Sequence, residues 1–399
     1  MADYKVPGVY VEEPFGLSLS IQTGQTAVPV FAFDSGVKWV DGKDKDKAME
    51  FASWLEVSEY IDTHYAPLTN DTDALKRANA LKLEETSEDN LYLSLKLYFL
   101  NGGGHCYVAP VAAFDALVPI LDDATLLVQA GTSLTTFKEK VALLCVTGKS
   151  LFALFDGGDG SERLTSSKDV ETLQAQYAAT PHAAVYYPWL TAPKEALPDE
   201  PKNQPHPEVD IPPSGAVAGV YAQVDRERGV WKAPANVAII GAMPKCKISD
   251  AVNGECNVPA QGGKAINVIR AFRGTGPLIW GARTLAADKD TWRYVPVRRL
   301  FDAAERDIRT AMSQALFEPN SAQTWERVRG AVESYVHSLW QQGALQGESP
   351  EQAYFVQIGL GSTMTQDDIN SGKMIIKVGL AAVRPAEFIV LQLMQKVPA

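Results

Sequence analysis

Residues 90–111 read NLYLSLKLYFLNGGGHCYVAPV. The first half sets Leu91, Leu95, Tyr98 and Phe99 on one helical face, the spacing of an amphipathic segment. Gly102, Gly103 and Gly104 follow, then an apolar strand from Cys106 to Val111. The order decides what the glycines do. A phosphate cradle runs strand, glycines, helix, so that the first helical amides face the anion. Here a helix enters and a strand leaves, so the glycines read as a helix C-cap and a turn. Outward from this junction strands and helices alternate. Upstream, Thr26–Phe33 reads as a strand, Asp41–Lys47 as a charged turn and Ala48–Tyr60 as a helical stretch. Downstream, the alternation runs through Lys140–Cys145, Leu151–Phe155, Lys168–Tyr177 and Ala183–Tyr187. Such alternation predicts an α/β body, a sheet flanked by helices.

The two ends of the chain differ from this body. Val6, Pro7 and Gly8 punctuate the start, Val9 and Val11 alternate with Tyr10 and Glu12, and Pro14 and Gly16 close the segment. A strand this short needs another sheet to join, so residues 1–20 read as an arm. Eight of the 24 prolines fall between Pro188 and Pro213, which predicts a long surface loop. The body resumes at Ala216 and closes near Leu285. Beyond it Val297, Leu300, Phe301, Ala304, Ile308, Ala311, Met312 and Ala315 have helical spacing. Pro319 and Asn320 stop that helix, and Asn320 is placed to cap the next. There Trp325, Val328, Val332, Val336 and Leu339 form an apolar stripe, with Gly343 where a C-cap glycine belongs. The opposite face carries Glu326, Arg327, Gly330, Glu333, Ser334, His337 and Gln341, with Arg329 at its flank. Lys373–Leu380 and Glu387–Met394 read as two final strands joined at Arg384-Pro385.

With 399 residues, 46% apolar and 21% charged, the chain is globular and exceeds the roughly 250–300 residues at which one core stops growing. No apolar run approaches the ~20 residues of a membrane span, and the first residues lack the pattern of a secretory leader. Four cysteines without a C-x-x-C pair fit a reducing compartment. The net charge of −11 argues against nucleic acid, whose phosphates need clustered positive charge. The five histidines, His64, His105, His182, His206 and His337, form no metal-ligand spacing. His105 and Cys106 are adjacent on a strand and point to opposite faces. Asp156-Gly-Gly-Asp-Gly160 reads as an acidic turn, with calcium as the weaker reading. The nucleophile elbow G-x-S-x-G is absent, and Cys246 and Cys256 read as incidental thiols. No active site, cofactor site or metal site assembles from these residues.

Several segments together resemble the sheath subunits of contractile phage tails and contractile injection systems. They are PGVYVEE at 7–13, NGGGHCYV at 101–108, PPSGAVAGVYAQVDRERGVWKAPAN at 212–236 and GTGPLIWGARTL at 274–285. WRYVPVRRLFDAAERDI at 292–308, FEPN at 317–320 and VRPAEFIVLQL at 383–393 continue the series in the same order. The resemblance implies an α/β plus α+β subunit. Its body, residues 21–285, would be similar in fold to subtilisin without a catalytic triad, with 110–205 variable and surface-exposed. Residues 286–399 would form a tube-facing α+β domain completed by the N-terminal arm strand and ending in a linking strand.

In function, the resemblance implies a structural protein and no enzyme. Copies of the chain would stack as hexameric rings around an inner tube, in a helical cylinder that contracts on a baseplate signal. The alternatives are the sheath of a true contractile-tailed phage and, more remotely, a subtilisin-like hydrolase. The arm strands linking neighbours would be carried by Val9, Tyr10 and Val11 and by Phe388, Val390 and Leu391. The tube-facing helix would present Glu326, Arg327, Arg329, Gly330, Glu333 and His337. Implied partners are further copies of the chain, the inner tube protein, baseplate and terminal cap proteins and an AAA+ ATPase encoded nearby, with no nucleic acid and no direct membrane insertion. Assembly would take place in the bacterial cytoplasm, and the product would be a phage-tail-like particle.

Overall fold

The computed structural model describes residues 19–34, 36–65, 82, 86, 89–158, 160–161, 163–194, 207–258, 262–287 and 291–387. By its internal contacts the chain divides into two units. Gly24–Arg306 together with the residues from Ala382 onward form the larger, and Asp307–Ala381 with the residues up to Thr23 the smaller.

The larger unit contains strands β1 (Pro29–Phe33), β2 (Met49–Phe51), β3 (Cys106–Pro110), β4 (Leu126–Val128), β5 (Phe152–Asp156) and β6 (Ala183–Tyr187). It continues with β7 (Leu190–Pro193), β8 (Glu208–Ile211), β9 (Val237–Ala238), β10 (Met243–Pro244), β11 (Ile266–Phe272) and β12 (Gly276–Ile279). Its helices are α1 (Trp54–Tyr65), α2 (Asn90–Leu100), α3 (Phe114–Leu117), α4 (Leu134–Leu144), α5 (Ser167–Ala175), α6 (Pro213–Arg228) and α7 (Asp250–Asn257). The division between the units falls inside helix α8 (Val295–Met312).

Among the described residues nine strands form one sheet in the order β2-β3-β1-β4-β5-β6-β11-β12-β9. From β3 to β11 the pairings are parallel, while β2, β12 and β9 join antiparallel at the edges. Central parallel strands are covered on both faces, so they are apolar throughout rather than alternating. Every residue of β1, β4, β5 and β6 is buried. The period of two then sorts their side chains. Phe31, Leu126, Leu154 and Tyr186 enter one core with α2 and α6. Val30, Leu127, Phe155 and Val185 enter the other, with Phe137 and Val141 of α4, Val170 and Leu173 of α5 and Val252 of α7.

The glycines of residues 212–236 have a packing role. A Cβ at Gly215 would stand 2.6 Å from the Ser94 carbonyl oxygen, and one at Gly219 2.4 Å from that of Tyr98. Helix α6 therefore meets α2 backbone to backbone, which only glycine at both positions permits. Past that contact α6 carries Asp225, part of a buried network. Arg299 of α8 donates through Nη1 to Asp225 Oδ1 at 3.0 Å and through Nη2 to Oδ2 at 2.6 Å. The same Nη2 reaches the Thr26 carbonyl at 2.9 Å, and Thr26 Oγ1 donates to Asp225 Oδ2 at 2.6 Å. The guanidinium lies 4.6 Å from the ring centre of Tyr221, whose hydroxyl pairs with that of Tyr186 at 2.6 Å.

Four sequence expectations are corrected here. Ala48–Tyr60 is not one helix: β2 occupies Met49–Phe51 and α1 starts at Trp54. Lys140–Cys145 is not a strand but the end of α4, where Phe137, Val141 and Leu144 recur at helical spacing. The strand in that part of the order is β4, only three residues long. The proline-rich stretch is not all loop, because β7 and β8 pair antiparallel within it and β10 joins them, while 195–206 lie outside the described residues. Finally, the segment 110–205 is not exposed throughout, as far as its described residues go. It supplies β4, β5 and β6, the buried middle of the sheet.

The Arg299–Asp225 pair yields a prediction. Asp225→Asn leaves a guanidinium buried without its counter-charge, and removing one partner of such a pair costs about 3–5 kcal/mol. Denaturant unfolding of the full chain followed by circular dichroism should show that loss, against under 1 kcal/mol for Asp367→Asn on the surface.

Candidate assembly surfaces

The smaller unit is built from α9 (Ala322–Gln341), α10 (Pro350–Ala353), β13 (Tyr354–Ile358), α11 (Gln366–Asn370) and β14 (Ile376–Leu380). Helix α9 starts at the N-cap residue Ser321, which makes no side-chain cap bond. The expectation that Asn320 caps it is corrected. The Asn320 side-chain amide donates to the Lys373 carbonyl at 2.9 Å, and its Oδ1 accepts from Trp325 Nε1 at 2.7 Å. Asn320 thus ties the loop before α9 both to the helix and to the segment leading into β14. At the other end Gly343 takes φ +82°, its amide bonding the Trp340 carbonyl and that of Ala344 the Leu339 carbonyl. This is the left-handed helix stop read from the sequence.

The apolar stripe is buried: Val328, Val332, Val336 and Leu339 line it, with Tyr335 beside them donating from its hydroxyl to Asp307 Oδ2 at 2.8 Å. On the far side Arg329 lies between Glu326, which it contacts directly, and Glu333, 3.9 Å away. Their side chains are 42%, 61% and 47% exposed. Gly330 is exposed in the same row, with nothing within 4 Å of its absent Cβ. Two residues of the expected set stand apart. Arg327 is half-buried, its Nε is enclosed without a hydrogen-bond partner, and it lines a small cavity with Leu19, Glu318 and Thr324. Its burial comes from these neighbours, not from its place around the helix, since rotation puts Arg327 on the face opposite the stripe. His337 is also half-buried, held by Tyr354 Oη at 3.1 Å from Nδ1 and by the Gln341 amide at 3.0 Å from Nε2. It anchors the helix against β13.

Strands β13 and β14 pair antiparallel from Tyr354 with Leu380 to Ile358 with Ile376. Phe355 stands opposite Gly379, and a Cβ there would lie 2.1 Å from the Phe355 ring, so the glycine makes room for the aromatic. Among the described residues these two strands pair only with each other. The outer side of each strand thus has no partner strand among the described residues, and such a side can template a further strand. The expected arm residues Val9, Tyr10, Val11, Phe388, Val390 and Leu391 lie outside the described residues.

The base of the C-terminal segment is fixed to the larger unit. Arg283 donates from Nε to Glu387 Oε1 at 3.0 Å and from Nη2 to Oε2 at 2.5 Å, while Nη1 reaches the Asn257 carbonyl at 2.7 Å. Neither residue was singled out from the sequence. Both stand inside segments that carried the family resemblance, 274–285 and 383–393, but no local periodicity marks them.

The catalytic candidates resolve into structural roles. His105 sits between Glu50 at 3.7 Å and Asp123 at 3.3 Å, while Cys106 is buried and burial pushes its thiol well up. Asp156 is not a solvated acidic turn. It is fully buried and accepts from the Gly131 and Ser214 amides at 2.9 and 2.8 Å, and burial pushes its carboxyl up to about 6. Among the described residues no group of three or more His, Cys, Asp or Glu could hold a metal ion, and no helix is long and apolar enough to cross a membrane.

Among the described residues the candidate catalytic groups are held in structural contacts, and likeness to known proteins points to the family. Residues 287–396 match the phage tail sheath C-terminal domain family. Along 100% of its length the chain is 48% identical to a chain of the PVC sheath complex, solved by cryo-EM in the contracted state as part of an extracellular contractile injection system. The match covers 99% of that chain with a TM-score of 0.81. A chain of the anti-feeding prophage baseplate in its contracted state is 43% identical, with 98% of this chain and 99% of that one covered and a TM-score of 0.78. A protein of Pseudomonas aeruginosa (strain UCBPP-PA14) named as a prophage major tail sheath protein is 26% identical over 134 residues, 34% of either chain. This chain belongs to the tail sheath family of contractile injection systems, and it is a structural subunit, not an enzyme.

Asn320→Ala removes two side-chain hydrogen bonds that set the entry to α9. A typical bond contributes about 1 kcal/mol, so a loss of about 2 kcal/mol is predicted, read as faster backbone hydrogen exchange across 320–325 and 373–376.

Proposed function

We propose that copies of this chain stack as hexameric rings around an inner tube, and that contraction of the resulting helical cylinder drives the tube into a target cell. Its whole-length likeness to a sheath captured in a contracted state carries this reading. Contacts that do not close on themselves generate helical assemblies of this kind. Subunits would be linked through the arms, Val9–Val11 and Phe388–Leu391, which have the alternation and length to add strands to a neighbour's β13–β14 hairpin. Arg283 and Glu387 would hold the root of the C-terminal arm while its far end engages the neighbour.

Helix α9 would face the tube. Its outward row of Glu326, Arg329, Gly330 and Glu333 offers both charges without an apolar patch, and Gly330 permits close approach. Each exposed ion pair contributes roughly 0–1 kcal/mol, so single contacts release readily while many acting together hold the extended state. The body would lie outward with a subtilisin-like arrangement of sheet and helices and no triad. Baseplate contact is supported by the likeness to a baseplate chain. The tube protein, a terminal cap and an AAA+ ATPase complete the proposed partners, with assembly in the bacterial cytoplasm.

Two variants test the assignment by electron microscopy of particles co-expressed with tube and baseplate proteins. Arg329→Glu should lower the melting temperature of the subunit by only a few degrees, about what the lost pairs to Glu326 and Glu333 and the new like-charge neighbours cost on an exposed helix face, yet give contracted sheaths or bare tubes. Deletion of residues 1–20 should give folded protein and no cylinders. Full-length extended particles from Arg329→Glu would move the tube contact away from α9, and normal cylinders from the truncation would remove the arm from assembly.

A further inference from the structure

In the larger unit, His182 precedes β6 and Asp302 lies on α8; both are buried. His182 Nδ1 is 3.9 Å from Asp302 Oδ1, and both Nδ1 and Asp302 Oδ2 are enclosed without a hydrogen-bond partner. Each orphaned polar atom carries a desolvation penalty, and a proton held by the pair would lessen it. The surrounding charges are known. Arg298, one turn earlier on α8, binds Asp302 Oδ1 through Nε at 3.1 Å and Nη2 at 2.9 Å, and its guanidinium is stacked 4.1 Å from the Trp292 ring centre. Arg299 and Glu305 act on Asp302 from the same helix, and the Cys145 thiol faces it from the end of α4.

We propose that His182 and Asp302 form a buried proton-binding pair, in which the Asp302 carboxyl and the His182 imidazole together hold one proton, and that the pair keeps the contact between α8 and the entry to β6 indifferent to acidity. Proton uptake on Oδ2 neutralises the carboxylate, leaves Oδ1 to accept from Arg298 and removes the like demand of two unprotonated groups side by side.

The two groups respond oppositely. Burial pushes the Asp302 carboxyl up to about 6, from 3.8. Alone, that raised value makes the folded chain gain stability as pH falls from 6 towards 3.8, because only the folded state binds the proton there. Burial, aided by Arg298, pushes the His182 imidazole down to about 4, from 6.5. Alone, that lowered value costs the folded chain stability as pH falls from 6.5 towards 4, because only the unfolded state binds the proton. Over the shared window the slopes oppose, and the pair takes up about one proton folded or unfolded.

The test is the melting temperature of the full-length protein from pH 4.5 to 7.5, with assembly state held constant by light scattering. Relative to wild type, Asp302→Asn should lose melting temperature progressively below pH 6.5, and His182→Gln should gain it below pH 6. Variant profiles parallel to wild type would overturn the proposal. If either variant fails to fold, deuterium exchange at imidazole Cε1–H in the wild-type chain, read by mass spectrometry, decides. The His182 midpoint should lie more than one pH unit below the ordinary value, whereas an unshifted midpoint would overturn the pair.

Discussion

A single guanidinium, that of Arg299, fixes the larger unit. It joins α8, the α6 carboxylate of Asp225 and the strand entry at Thr26, and it is stacked on Tyr221. In a medium without water the pair is costly to form and costlier to break. Its contribution is less net stability than a defined answer to where these segments meet. A misplaced α8 would strand one charge, so competing arrangements of the same apolar surfaces are disfavoured by electrostatics as well as by shape.

Around that point packing is close enough to leave few alternatives. The backbone contact of α6 with α2 fixes the separation of the helices over one face of the sheet, and β1 to β6 fill both cores with alternating side chains. The titratable groups that look chemical in the sequence are engaged in this framework. Asp156 ties the loop after β4 to the first turn of α6 through backbone amides, and His105 bridges two acidic residues at a strand start. Their environments serve position rather than reaction.

How much of this was legible depended on the range of the interaction. The α2 to β3 junction and the glycine stop of α9 are written in local order, and each appears where its residues place it. Strand β4 was missed because three apolar residues, Leu126 to Val128, give no period, while the apolar run in α4 mimics a strand unless Phe137 is counted with it. The outward row of α9 followed from rotation about the helix for Glu326, Arg329, Gly330 and Glu333, but rotation alone could not tell that Arg327 folds back beside Leu19 or that His337 meets Tyr354. Asp225 with Arg299, and Arg283 with Glu387, join residues 74 and 104 positions apart. Pairing at that distance is set by the assembled sheet, and no window of sequence contains it.

The edges of the two sheets differ in length, and the difference bears on fidelity. The nine-stranded sheet ends in β2, three residues long, and β9, two residues long. So short an edge cannot hold a foreign strand in register. The hairpin of β13 and β14 offers five residues on each side. Under the proposed assembly, backbone hydrogen bonding between identical chains would thereby be channelled to the longer edges of the hairpin. End-to-end joining of the large sheets would be disfavoured by the brevity of their described borders, before any side chain has to discriminate.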